Sequence, residues 1–87
     1  MVFQSKTRTV VMDQLKEIND LVEKDGKILR IREKTGSDTD FYIAFYKAKN
    51  IEDCCASTNL YSFGYCRTWR ECMLILRGIE GGIRLNG

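Results

Sequence analysis

The spacing of apolar residues predicts a helix near the start of the chain. Between Thr9 and Asp25, apolar residues recur on one helical face while charged residues occupy the other. The apolar positions are Val11, Leu15, Ile18 and Val22. Gly26 follows the last of them, at the place where a left-handed C-terminal cap favours glycine. The pattern therefore predicts an amphipathic helix that ends at Gly26.

The closing segment, Arg67 to Leu85, predicts a second helix. Thr68 and Glu71 have the spacing of a capping box, in which each side chain accepts a hydrogen bond from the other residue's backbone N–H. An apolar stripe at helical spacing follows and predicts the core face of this helix. Its members are Trp69, Cys72, Leu76, Ile79 and Ile83.

The middle of the chain alternates with the period of two that is typical of strands. Lys27 to Lys34 alternates first, and a second alternating run, Phe41 to Tyr46, predicts a strand that pairs back as a hairpin across the turn-rich residues 35–38. Residues 49–58 are polar and irregular, and Asn59 to Cys66 predicts a third strand. This order predicts an α+β fold, a two-layer sandwich with an antiparallel sheet of about three strands and both helices on one face. Within the third strand, Gly64 permits a bulge.

Composition narrows the class of protein. The chain has 87 residues, of which 44% are apolar and 30% charged, the balance of a single globular domain covering residues 1–87. It contains no histidine, which excludes most general-base, triad and zinc-hydrolase schemes. No apolar run, including Met73 to Leu76, is long enough to span a bilayer, and no signal sequence is evident. We therefore expect a cytoplasmic protein that has no membrane partner.

The cysteines, which are Cys54, Cys55, Cys66 and Cys72, are expected to stay reduced in that compartment. They form no C-x-x-C pair, so the sequence predicts neither a metal site nor a cofactor. Cys66 is the strongest catalytic candidate, because a helix N-terminus and Arg67 both favour a thiolate. No recognisable base accompanies it, so we predict that the protein is not an enzyme. Cys66 and Cys72 are then interpreted as small buried hydrophobes.

The final helix carries the residues that we expect to bind a partner: Arg70, Leu74, Arg77, Gly78, Gly81 and Arg84. The arginines recur every seven residues and form an edge that suits carboxylates or phosphates, or else a solvated flank held by Glu80. Leu74, Gly78 and Gly81 lie on the side away from the core, and each helical glycine costs about 1 kcal/mol relative to alanine. The glycines either admit a partner or a second copy at close range, or end the helix near Gly78 or at Gly81-Gly82.

The outer face of the hairpin offers an alternative binding surface, composed of Arg30, Arg32, Tyr42 and Tyr46. Cations beside aromatic rings are typical of proteins that bind single-stranded nucleic acid through phosphate contacts and base stacking. The net charge of only +2 weakens that signal, and Arg/Tyr contacts across strands also stabilise ordinary sheets. A weak single-stranded nucleic-acid-binding module is therefore the alternative function.

Four segments together carry a resemblance: the helix from Asp13 to Val22, the hairpin from Lys27 to Ala48, the motif Thr68-Trp69-Arg70-Glu71, and the run Leu76 to Ile83. In layout the chain resembles small proteins of Gram-positive bacteria, their phages and mobile elements. The resemblance implies no catalytic motif, and it implies a class whose members often bind and block a larger host protein, including CRISPR and other defence components. The predicted function is a non-enzymatic protein-interaction protein, with a foreign protein partner or a homodimer.

Overall fold

The computed structural model describes residues 2–33 and 41–86, and the side chains of residues 7–33 and 41–85. The elements are helix α1 (Val2–Val22), strands β1 (Lys27–Glu33), β2 (Phe41–Lys47) and β3 (Asn59–Cys66), and helix α2 (Trp69–Asn86). Short 3-10 turns occupy Glu23–Asp25, Ile51–Asp53 and Ala56–Thr58. The predicted α+β order is confirmed, and the predicted turn at 35–38 lies outside the described residues.

Helix α1 begins earlier than the pattern predicted and ends as expected. Residues 2–8 contain no glycine or proline, so no helix-breaking residue prevents the helix from beginning before the predicted start at Thr9. At the other end, one 3-10 turn leads to Gly26, whose φ of 69° is left-handed. The Gly26 N–H donates to the carbonyl oxygen of Glu23 at 3.0 Å. The predicted glycine cap is therefore confirmed.

The sheet is an antiparallel meander in which β2 is the central strand. β1 and β2 pair without interruption, from Lys27 opposite Lys47 to Glu33 opposite Phe41. β3 pairs with β2 through two register shifts, one of them beside Gly64. Gly64 has a φ of 94°, which an L side chain rarely adopts, so this glycine permits the predicted bulge.

The main core lies between the inner face of the sheet and both helices. Its buried members are Val11, Ile18, Leu29, Phe41, Ile43, Cys66, Cys72 and Leu76. At one end Trp69 packs against Phe41, with ring centroids 4.3 Å apart, and the Arg8 guanidinium lies 5.7 Å from the centroid of the Trp69 ring. Phe41 is buried, and full burial of a large apolar side chain contributes about 1.5–3 kcal/mol, so the Phe41–Trp69 contact helps to hold α2 on this face of the sheet. The predicted core face of α2 is confirmed.

The outer face of the sheet is partly covered by the segment 48–58. Tyr46 packs there against Ala44 and Cys54 in a second buried cluster. Arg30 holds the covering segment, because its Nη1 donates to the carbonyl oxygens of Ile51 and Cys54 at 3.4 and 3.5 Å. Alternation placed Tyr46 on the correct side of the sheet, but its residual exposure is 2%, so its predicted place on an accessible binding face is wrong.

Candidate interaction surface on helix α2

The start of α2 is fixed by two hydrogen bonds. Thr68 Oγ1 accepts from the Glu71 backbone N–H at 3.1 Å, as the capping box predicts. The return bond differs from the prediction by one residue, because Glu71 Oε2 accepts from the backbone N–H of Arg67 at 3.0 Å. The first of these bonds satisfies a backbone donor of the first turn, and from this start Cys72 and Leu76 face the core.

Helix α2 continues through Gly78, Gly81 and Gly82 to its last turn. None of the three has a positive φ, so the interpretation that they end the helix as left-handed caps is wrong. The physical reason is packing. Ile79 and Ile83 both pack against the main core, and their burial outweighs the weak helix propensity of the glycines beside them.

The side of α2 opposite the core is apolar and accessible, and we call it the α2 seam. It consists of Leu74, Gly78, Gly81 and Leu85, whose alternating spacing of four and three is that of coiled-coil a and d positions. Leu74 is 56% exposed and Leu85 is 88% exposed. Apart from the backbone of its own helix and its two chain neighbours, a Cβ atom on Gly78 or Gly81 would have no heavy atom within 4 Å. Sequence analysis missed Leu85, which continues the same spacing by one step.

The predicted arginine edge runs beside the α2 seam. Arg70, Arg77 and Arg84 are all exposed. Arg84 Nε donates to Glu80 Oε2 at 2.9 Å. Among the described residues, no carboxylate lies within 4.0 Å of Arg70 or Arg77. Glu80 therefore holds one arginine of the three, and two guanidinium groups face solvent.

A groove of about 800 Å³, with both apolar and charged lining residues, opens beside the C-terminal half of α2. The rings of Phe45 and Phe63 line it, with centroids 5.7 Å apart. Gly78 and Gly82 line it from α2, together with Ile79 and Ile83. Because glycine has no side chain, the helix backbone itself forms part of the wall. Sequence analysis missed this groove, since it depends on how far the helix and sheet are separated.

The surroundings of Cys66, the strongest catalytic candidate in the sequence, do not favour a thiolate. Cys66 is buried in the main core, and burial raises the pKa of its thiol. Burial also raises the pKa of the Cys72 thiol. The expected help from Arg67 and the helix N-terminus is therefore outweighed, and the interpretation of Cys66 and Cys72 as buried hydrophobes is confirmed.

Cys55, by contrast, is an exposed thiol that sequence analysis did not single out. Its Sγ lies 3.0 Å from the hydroxyl oxygen of Ser57 and 3.7 Å from Thr58 Oγ1. These hydrogen bonds lower the pKa of Cys55 to about 7. The signal in the sequence was the Ser57 and Thr58 hydroxyls that follow, which form short turns of this kind. Within the described residues, no three His, Cys, Asp or Glu side chains are grouped to hold a metal ion.

The outer face of the sheet assembles a different aromatic set from the predicted one. Arg32 lies opposite Tyr42, and Tyr42 lies opposite Tyr65, which sequence analysis did not include. Tyr65 is 70% exposed. Of the four predicted residues, Arg32 and Tyr42 therefore share an accessible row, while Arg30 is engaged by the covering segment and Tyr46 lies beneath it.

Comparisons with known proteins do not indicate a function, so function is inferred from the geometry of the surface. No protein-family model, curated protein or solved structure matches the chain. Across the described residues, neither α1 nor α2 offers an apolar stretch that would reach from one side of a bilayer to the other. The class that the structure defines is a small α+β domain with an accessible apolar seam on its last helix.

Proposed function

We propose that the chain is a non-catalytic protein-interaction domain that binds its partner through the α2 seam. The observation that carries this proposal is the pair of exposed helical glycines, Gly78 and Gly81. Each costs about 1 kcal/mol of helix propensity relative to alanine. Nothing inside the domain contacts the space where their side chains would lie. A cost without an internal benefit indicates a use outside the domain, and a partner helix can approach closely only where side chains are small.

The leucines of the seam supply the apolar part of the interface. Leu74 and Leu85 lie at either end of the glycine pair, and both are more than half exposed, at 56% and 88%. Burying one leucine completely contributes about 1.5–3 kcal/mol. A partner that covered both leucines and packed against the glycines would therefore gain a central apolar anchor, the usual source of binding free energy at interfaces.

The arginine edge indicates the chemistry of the partner. Arg70 and Arg77 occupy g positions when the seam is read as a heptad. In an antiparallel pair of α2 helices these arginines would face their own copies and repel each other, whereas a parallel pair places them opposite Ile75 and Gly82. A guanidinium group can form two parallel hydrogen bonds with a carboxylate of a partner. The seam therefore suits a helix with acidic flanks better than an antiparallel second copy. A blocking role toward a larger host protein would use the same surface and stays a prediction.

The test is the double substitution of Gly78 and Gly81 by alanine, with Gly82→Ala as the matched control. All three positions are helical and have open Cβ space, but Gly82 lies off the seam. Molecular mass by light scattering reports a second copy. A photoreactive residue at position 74 in a host-cell lysate reports a foreign partner, and one at Asp13 on α1 serves as its control.

We expect both variants to melt at a higher temperature than the unsubstituted protein, because alanine favours the helix. Only Gly78→Ala/Gly81→Ala should lose its higher-mass species or its crosslinks from position 74. A strictly monomeric mass at high micromolar concentration would remove the homodimer. A double variant that is more stable and keeps both mass and crosslinks would overturn the seam as the binding surface.

A further inference from the structure

Three residues from the three strands form a row across the outer face of the sheet, and we call Arg32, Tyr42 and Tyr65 the outer row. The register places them directly opposite one another. Directly opposite side chains in an antiparallel sheet interact. The ring centroids of Tyr42 and Tyr65 lie 5.0 Å apart. One guanidinium and two phenol rings therefore point to the same side of the sheet.

A polar network on β3 holds the centre of the outer row. The hydroxyls of Tyr42 and Ser62 share a hydrogen bond. Asn59 Nδ2 donates to Ser62 Oγ at 3.1 Å and to Tyr42 Oη at 3.4 Å. The Tyr42 ring is therefore fixed in place, and Tyr65 rests against it with 70% of its surface exposed. A platform that is already ordered loses little side-chain entropy when a ligand stacks on it.

The outer row offers one exposed cation to an anion. β1 carries Arg30 and Arg32 on this face. The three strands contain a single carboxylate, that of Glu33 on the inner face, while the covering segment 48–58 adds the carboxylates of Glu52 and Asp53 and the cation of Lys49. Arg30 is occupied by the carbonyl oxygens of the covering segment, so Arg32 is the exposed cation of the row.

A planar ring system joined to a negative charge matches this arrangement, and an unstacked nucleotide has both. Its base stacks on an aromatic ring, and its phosphate pairs with a guanidinium. A duplex does not fit, because its bases are already stacked on each other and cannot reach a flat platform. We propose that the outer row binds single-stranded nucleic acid, with a base stacked on Tyr65 and the adjacent phosphate on Arg32. This site is independent of the α2 seam.

The test is fluorescence anisotropy with a fluorescein-labelled thymidine oligonucleotide at low salt. Tyr65→Ala should weaken binding about tenfold, the loss expected for one stacked base. Tyr65→Phe keeps the ring and should keep the affinity. The matched control is Tyr61→Ala: Tyr61 is 61% exposed on the same strand, but it lies opposite Phe45 on the inner face, and its loss should leave binding unchanged.

The phosphate contact has its own measurement. Arg32→Gln should reduce the slope of log affinity against log salt concentration by about 0.7, the value for one phosphate on a single strand. Arg77→Gln on the α2 edge should not change it, and Gly78→Ala/Gly81→Ala should bind the oligonucleotide normally. Circular dichroism confirms that each variant is folded.

Two results would overturn the proposal. One is the absence of saturable binding by the unsubstituted protein, which would leave the outer row as a peptide-contact or purely structural surface. The other is equal loss in Tyr61→Ala and Tyr65→Ala, because binding would then not depend on the outer face.

Discussion

Two groups of glycines in this domain differ in what the fold requires of them. Gly26 and Gly64 have φ values of 69° and 94°, and the helix cap and the bulge depend on that conformation. Gly78 and Gly81 are helical, and no neighbouring atom needs their lack of a side chain. The first pair is explained inside the molecule. The second pair is not, and neither is the helical Gly82 beside it; the two that share a face with Leu74 and Leu85 direct attention to the α2 seam.

The largest expected effect comes from a matched pair of alanine substitutions, one in each group of glycines. They should change the free energy of unfolding in opposite directions. Alanine at Gly26 and alanine at Gly78 would both enter open space, so only the backbone conformation differs. Gly26→Ala should reduce the free energy of unfolding by about 1–2 kcal/mol, because a left-handed alanine is strained. Gly78→Ala should increase it by about 1 kcal/mol. Urea denaturation measures both, and changes of the same sign would contradict the distinction.

A smaller effect concerns the cap that keeps a glycine-rich helix in place. Thr68→Ala removes the acceptor for the Glu71 N–H, which lies 3.1 Å from Thr68 Oγ1, and should reduce the free energy of unfolding by about 1 kcal/mol. In a Gly78→Ala background the two changes should nearly cancel, since the sites are separate along the helix. An unchanged denaturation midpoint in Thr68→Ala alone would mean that the helix start does not depend on this hydroxyl.

The smallest expected effect is on thiol reactivity rather than on stability. It distinguishes a buried cysteine, Cys54, from an exposed one, Cys55. Cys55 is exposed with a pKa lowered to about 7, while burial raises the pKa of the adjacent Cys54. Iodoacetamide should therefore modify Cys55 first, at a rate that rises as the pH passes upward through about 7 and falls below it. Ser57→Ala removes the main hydrogen bond and should move this midpoint to higher pH. Mass spectrometry identifies the adduct, and equal labelling of Cys54 in the folded protein would contradict the difference in burial.

The elements of the fold were predictable because each has one apolar face. The apolar and aromatic residues between Asn59 and Cys66 predicted β3 with its observed bounds, and the stripe through Cys72 and Leu76 predicted the core face of α2. The end of α2 was not predictable, because glycine terminates helices more often than it continues them. The packing of Ile79 and Ile83 against the core carries the helix past its glycines.

The candidate surfaces were predictable in part, for a related reason. Leu74 and Gly78 follow from helical spacing alone. The burial of Tyr46 depends on a covering segment without periodicity, held by hydrogen bonds from Arg30 to backbone carbonyls, and no local pattern encodes such contacts. Tyr65 joins the outer row through the bulge at Gly64, which changes the side of the sheet that later residues face.

The meander order of the sheet also has a consequence for the folding pathway. Each strand pairs with its neighbour along the chain. By contrast, α1 and α2 contact each other although the whole sheet lies between them in the sequence. Closing a longer loop costs more entropy, so we expect the strand pairs to form early and the two helices to meet late. Contacts made after the rate-limiting step govern how fast a domain comes apart. A partner bound to the α2 seam would therefore act on the late-docking helix and lengthen the lifetime of the folded state.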